Sequence, residues 1–238
     1  MACSCSTFHT PPLRPYPLTM LHIDRPTTWV SLTGFMGVGK SRIGRELAHE
    51  LMLHFIDLDG YIERETGLTI ADIFRHLGEE TFRRLEAEAV GELVQKDFMV
   101  LSLGGGTFVS PENREKLLNR GIVVALWASP ETIFERVGRK PGKRPMLEGE
   151  DPLGRIQQMF LQREPIYRQA HIHVSTDGRR VQEVVKEIIE KLWEYTKLHP
   201  RLALPPRPAS PQPPGESEPH QEEINPPSFS DSVDKESS

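Results

Sequence analysis

Between Trp29 and Leu51 the chain reads WVSLTGFMGVGKSRIGRELAHEL, and this stretch restricts the fold more than any other. A short β-rich run, WVSLTG, ends in a glycine, and Gly37 and Gly39 follow it. Ile43, Leu47 and Leu51 then recur at the spacing of one helical face. Glycine weakens regular structure, so three of them between a strand and a helix mark backbone that bends sharply or approaches something closely. The spacing Gly34-x4-Gly39-Lys40-Ser41 is that of the phosphate-binding loop, G-x-x-x-x-G-K-[ST], with the strand before and the helix after that the motif requires. Inward-turned amides and the partial positive charge of a helix N-terminus suit phosphate oxygens. Lys40 then reaches the β- and γ-phosphates, and Ser41 Oγ ligates Mg²⁺. A nucleoside triphosphate is the ligand implied, with Gly37, Val38, Gly39, Lys40, Ser41 and Arg42 around it. Arg42 stands where such loops often carry a second Ser or Thr.

The rest of the core continues the rhythm that this unit begins. HFIDLD (His54 to Asp59), FMVLSL (Phe98 to Leu103), GIVVALW (Gly121 to Trp127) and HIHVS (His171 to Ser175) read as four further strands. Helical patterns cover 40–53, 61–66, 70–77, 80–95, 111–119, 130–137, 155–168 and 181–198. Nearly continuous apolar strands alternating with helices predict a three-layer α/β/α domain around a five-stranded parallel sheet, with no internal repeat. GRKPGKRPMLEGEDPLG (Gly138 to Gly154) breaks that rhythm. A Gly-, Pro- and Arg/Lys-rich loop of this length inside a compact domain reads as a flexible lid.

Both ends differ from the core in composition. From His199 onward prolines crowd with Ser, Glu and Gln, and three basic face seven acidic residues, which accounts for most of the formal net charge of −5. Such a segment buries too little apolar surface to offset chain entropy, and 199–238 is expected to be a disordered acidic tail. Residues 1–25 are Pro/Ser/Thr-rich; they read as disordered, as a plastid-type targeting segment, or as sequence ahead of a start at Met20. The expected domain spans 26–198. It has no basic stripe to suit nucleic acid and no apolar run long enough to cross a membrane. The only cysteines, Cys3 and Cys5, offer no disulfide framework, in keeping with a reducing cytosol.

The acceptor of the phosphate is read from the remaining charged residues and glycines. Asp57 and Asp59, two apart at the end of the second strand, are expected to point to one side beside the phosphate loop. One carboxylate there can support a metal through water, and the other can orient an acceptor hydroxyl or take its proton. Three consecutive glycines, Gly104, Gly105 and Gly106, destabilise the end of a strand, so close approach of a ligand is their reason. Arg83 lies three residues before Glu86 on one helical face, which makes Glu86 its orienting partner.

The ordered set GFMGVGKS, FIDLD, Phe82-Arg83, LSLGGGT, KRPML and QREPIY resembles the shikimate kinases, from about Val30 to Lys197. The loop alone is widely shared; DLD, the triple glycine, RPML and REPIY in this order are far more specific. The resemblance implies ATP-dependent phosphorylation of the 3-hydroxyl of shikimate, with Mg²⁺, within aromatic amino-acid synthesis, by a cytoplasmic monomer. It also implies roles. Asp57 assists Mg²⁺ through water, and Asp59 holds the ring hydroxyls and is the candidate base. Arg83 and Arg163 bind the substrate carboxylate, and Gly104, Gly105 and Gly106 approach the substrate with backbone groups. Arg136 contacts adenine, and Arg144 of the lid reaches over the transferring phosphate. Lys40, Asp59 and Arg144 form the catalytic set. Guanidinium groups suit such a substrate because they grip a carboxylate bidentately.

Two rival readings remain at this level. Gluconate and nucleoside monophosphate kinases share loop and lid, and a non-catalytic nucleotide-binding protein could use the Pro-rich tail for partners. The first differs in its acceptor. The second is expected to have lost Asp59, Arg83 or Arg163, and all three are present. Trp29, Trp127 and Trp193 read as packing residues, and His171 and His173 as alternating positions of a terminal strand without metal-ligand spacing.

Overall fold

The computed structural model describes residues 29–138 and 151–199. Five strands, β1 (Trp29–Gly34), β2 (His54–Asp57), β3 (Met99–Ser102), β4 (Ile122–Trp127) and β5 (Ile172–Ser175), form one parallel sheet in the order β2-β3-β1-β4-β5. The helices are α1 (Lys40–Glu50), α2 (Leu58–Thr66), α3 (Ile70–Leu93), α4 (Pro111–Arg120), α5 (Pro130–Gly138), α6 (Pro152–Tyr167) and α7 (Val181–Leu198), with a short 3-10 turn at Thr107–Val109. The expected three-layer α/β architecture and its five parallel strands are present.

Position in the sheet explains the sequence pattern of each strand. The three central strands are covered on both faces: every residue of β1 and β3 is buried, as is β4 up to Leu126. Val30 pairs with Val100 on one side and Ile122 on the other. Full burial of an aliphatic side chain of this size is worth about 1.5–3 kcal/mol, so the centre of the sheet anchors the domain. The edge strand β5 instead alternates between buried and exposed residues. There His171 and His173 serve packing: His171 Nδ1 accepts the Val123 N–H (3.0 Å) and His173 Nδ1 accepts the Trp127 indole N–H (3.1 Å). Trp29 lies in the core, and Trp193 packs against it partly buried.

Because all strands run in parallel, their carboxyl ends converge on one edge of the sheet. There Gly34 opens the phosphate loop, Asp57 ends β2, and Ser102 leads into the three glycines. Leu32 and Asp57 both stand in register with Ser102. The nucleotide loop and the acceptor residues therefore share one rim.

Several boundaries differ from the sequence expectation by one to three residues. The second strand ends at Asp57, and Asp59 lies in the first turn of α2. The two aspartates are thus brought together by a strand-to-helix corner, not by strand alternation. The reason is capping: the Asp57 side chain accepts the Gly60 N–H (3.4 Å) and starts the helix. Likewise α6 begins at Pro152, three residues earlier than expected, because Asp151 accepts the Gly154 N–H (2.8 Å) and Pro152 occupies the first turn. Pro152–Gly154 therefore belong to a helix and not to the loop, and Gly138 ends α5. The first helix stops at Glu50, ahead of Met52 at φ 53. α7 ends at Leu198, as expected, and His199 caps it, its N–H donating to the Tyr195 carbonyl (3.1 Å). The break between 77 and 80 is present as a kink at Gly78 (φ 82, ψ 169) within α3. Arg144 with residues 139–150 of the expected lid, residues 1–28 and the tail from 200 lie outside the described residues.

Candidate active site

The phosphate loop is held open by its own backbone. Gly34 has φ 136, and a side chain there would collide with the Leu126 carbonyl of the neighbouring strand. Only glycine fits both the dihedral and the space. The Lys40 ammonium lies across the loop, donating to the carbonyls of Gly34 (2.9 Å) and Phe35 (3.1 Å). α1 carries no acidic residue in its first turn, so the positive end of its dipole is not neutralised from within the helix. Gly37, Val38 and Gly39 line the turn between strand and helix. Arg42 sits on the exposed side of α1, its backbone N–H donating to the Gly39 carbonyl (3.1 Å).

Behind the loop two hard oxygens meet. Ser41 Oγ donates to Asp57 Oδ2 at 2.5 Å, and Ser102 Oγ lies 3.4 Å from Ser41 Oγ. A hydroxyl beside a carboxylate is the kind of donor set that Mg²⁺ takes, completed by water and phosphate oxygens. The residues present therefore fit that ion, although the described residues contain no group of three or more His, Cys, Asp or Glu that would form a complete protein cage.

Asp59 differs from Asp57 in its surroundings. Its Oδ1 is buried without a hydrogen-bond partner among the described residues. Burial above all, and then the neighbouring charge of Asp57, push its pKa up to about 6, against the opposing pull of Lys40. A buried carboxylate oxygen left unpaired is costly unless something else supplies the donor. A hydroxyl of a bound molecule would do so.

The guanidinium groups are fixed by different means. Arg83 pairs with Glu86 (2.9 Å), as its helical spacing implies, and with Glu79 (3.1 Å), and lies over the Phe82 ring at 5.2 Å. Glu86 is only 1% exposed, and its other oxygen accepts the Thr107 hydroxyl (2.5 Å), so both of its oxygens are satisfied. Arg163, on α6, donates to the Gly105 carbonyl (3.0 Å) and lies over the Phe35 ring at 5.6 Å. The three glycines gather these groups. A side-chain carbon on Gly104 would come within 2.8 Å of Asp59 Oδ1, on Gly105 within 3.9 Å of Arg163 Nη1, and on Gly106 within 2.5 Å of Arg83 Nη1. Three residues from α2, α3 and α6 thus surround one glycine turn.

Proteins of known kind resemble this chain in sequence and fold. The family model described as shikimate kinase matches residues 36–193. A shikimate kinase of Thermus thermophilus is 69% identical over 180 residues, covering 76% of this chain and 98% of that protein. The chain belongs to the shikimate kinase family. A Deinococcus radiodurans shikimate kinase is 50% identical over 185 residues, covering 77% of this chain and 93% of the relative. Among solved structures, Acinetobacter baumannii shikimate kinase in complex with shikimate superposes with TM-score 0.67 at 35% identity, covering 71% of this chain and 94% of that one. The Aquifex aeolicus shikimate kinase gives TM-score 0.64 at 34% identity, over 71% and 98% of the two chains.

Within this shikimate kinase fold Arg136 stands apart from the acceptor groups. From α5 it donates to the Thr176 hydroxyl (2.9 Å) and carbonyl (2.7 Å), where Asp177 accepts the Ser129 N–H at 2.9 Å. That places it just past the carboxyl ends of β4 and β5, on the rim that carries the phosphate loop. Thr107 and Tyr167 are the site's neighbours that the sequence reading left without a role. Both belong to quoted motifs, LSLGGGT and QREPIY, but a threonine after glycines and a tyrosine at a helix end carry no chemical signal until their partners are known.

Proposed function

We propose that this chain transfers the γ-phosphoryl group of ATP to the 3-hydroxyl of shikimate, giving ADP and shikimate 3-phosphate. The observation that carries this reading is the glycine turn, which has at Gly104 a buried carboxylate oxygen without a partner among the described residues, and a guanidinium against each of Gly105 and Gly106. A small polyol bearing one carboxylate is the complement of that arrangement.

The roles follow from the chemistry of each group. Arg83 and Arg163 hold the substrate carboxylate and thereby set the ring. Asp59 accepts a hydrogen bond from the 3-hydroxyl, orients its oxygen towards the γ-phosphorus, and takes its proton as the bond to phosphorus forms. A carboxyl pKa of about 6 leaves it largely ionised at neutral pH and still basic enough to serve. Lys40 and the loop amides of Gly37 to Ser41 bind the phosphates and offset the charge that spreads over the equatorial oxygens. Ser41, supported by Asp57, would hold Mg²⁺, which would supply charge neutralisation on the phosphate oxygens. Arg144 adds a further positive charge over the phosphate, and Arg136 packs against adenine. The enzyme acts as a monomer in this reading, as the family resemblance implies. Among the described residues no helix is long and apolar enough to cross a membrane. A cytoplasmic setting suits substrates that are small, charged and water-soluble.

The test is a coupled ADP-release assay with Mg-ATP and, in parallel, shikimate, gluconate or AMP. Turnover with shikimate alone is expected. Turnover with gluconate or AMP instead, or none with any acceptor while ATP still binds, would overturn the reading.

A further inference from the structure

Tyr167 closes α6 one helical turn after Arg163 and is 1% exposed. Its hydroxyl donates to the Gly105 carbonyl at 2.9 Å, the same oxygen that accepts from Arg163 Nη1 at 3.0 Å. Its ring is fixed by an edge-to-face contact with Trp127, centroids 6.3 Å apart. One peptide oxygen thus receives two side-chain donors from one helix.

That oxygen belongs to a peptide between two glycines. Gly104 to Thr107 form a β-turn closed by the Thr107 N–H on the Gly104 carbonyl (3.3 Å), and Gly105–Gly106 is its central peptide. Gly106 has φ −110 and ψ −15, the third residue of a type I turn. A half-rotation of the central peptide converts type I to type II, which requires a positive φ at that residue. Glycine accepts it without steric cost, so the backbone itself does not hold the present state. Across a planar trans peptide the Gly106 N–H points opposite to the Gly105 carbonyl. Rotation would replace a donor by an acceptor on the face of the turn away from α6.

We propose that Tyr167 is a positioning residue that locks the Gly105–Gly106 peptide while Arg163 is engaged elsewhere. The inference rests on the reading above, in which Arg163 grips the substrate carboxylate. A guanidinium drawn to that carboxylate weakens or gives up its bond to Gly105. Tyr167, which carries no charge and is held by Trp127, keeps its own. The peptide then stays in the orientation that the glycine turn offers to the acceptor, at the moment when its other anchor is in use. A buried tyrosine hydroxyl commonly finds some partner, so the decisive question is whether the bond matters to the acceptor alone.

The experiment is Tyr167→Phe, which keeps the ring and removes one neutral hydrogen bond, assayed beside the parent enzyme in the same shikimate titration. The shikimate KM should rise about three- to tenfold, the size expected for one such bond, with the ATP KM within twofold. The Gly106 amide resonance, single in the parent with and without shikimate, should broaden or double in the variant when shikimate is added. A shikimate KM within twofold of the parent, or a single sharp Gly106 resonance in the shikimate-bound variant, overturns the lock. Should the variant fail to fold, the parent decides: the Tyr167 hydroxyl proton must remain protected from solvent exchange with shikimate bound, and loss of that protection overturns the proposal. A parent enzyme that does not turn over shikimate refutes the function and the lock's premise with it, whereas a parent that does, beside a variant that matches it, refutes the lock alone, so the two failures are distinguishable.

Discussion

The nucleotide half and the acceptor half of this site are built in opposite ways. The phosphate loop is contiguous: Gly34 to Ser41 form it, and Lys40 is held by carbonyls of the same loop, five and six residues away. The acceptor half is assembled from α2, α3, the turn after β3, and α6. Its bonds span long separations, 58 residues from Arg163 to Gly105 and 62 from Tyr167 to Gly105. A contiguous cradle uses backbone amides and needs only glycine, a lysine and a helix end. A dispersed one needs side chains that orient other side chains, as the buried Glu86 does between Arg83 and Thr107. The first binds what many enzymes bind. The second carries the choice of acceptor.

That contrast can be broken by experiment. The largest effect is expected from Lys40→Ala, which removes charge from the transferring phosphate: kcat should fall on the order of 10²–10³-fold, with the shikimate Kd little changed. A comparable loss of shikimate affinity would mean that the two halves are not separate. Arg163→Ala should do the reverse, raising the shikimate KM by about 10–100-fold, the range for a lost charge-assisted bond to a carboxylate, while the ATP Kd stays within a few-fold. Because Arg163 also lies over Phe35 of the phosphate loop, a clear rise in ATP Kd would show that the halves communicate through that contact. Isothermal titration of each substrate on each variant separates these outcomes.

The smallest expected effect concerns Asp59, which stands where the halves meet. Its carboxyl is raised from 3.8 to about 6, chiefly by burial, so between these values the folded chain holds a proton that the unfolded chain has released. This residue's contribution to stability is therefore fully present below about pH 4 and is lost as pH rises through 6. Asp59→Asn should make the ligand-free protein more stable at pH 8, by on the order of 1–3 kcal/mol, and the gain should shrink towards pH 4.5. Urea denaturation at the two pH values reads this directly. An Asn variant equally or less stable at pH 8 would show that the carboxylate is not a strained group awaiting its donor.

How much was legible beforehand follows the same division. The strand–loop–helix unit at Trp29–Glu50 could be read because its signals are local: apolar run, glycines at fixed spacing, and a 3.6-residue period. The Arg83–Glu86 pair was legible for the same reason, since residues three apart share a helix face. The DLD corner was misread because an acidic cap and a strand alternation look alike over three residues. Only the geometry shows that Asp57 starts a helix and leaves Asp59 on it. The beginning of α6 was missed because Asp151-Pro152 resembles the loop before it as much as the first turn of a helix.

The sequence by itself determined the parallel α/β architecture, the phosphate loop and the family, because periodicity and motif order act through neighbours along the chain. Only the tertiary structure decided that Thr107, Glu86, Arg163 and Tyr167 converge on one glycine turn, and that Asp59 Oδ1 is left without a partner there. Those are consequences of parallel strands ending on a common rim, which brings together residues whose distance along the chain carries no information about their distance in space.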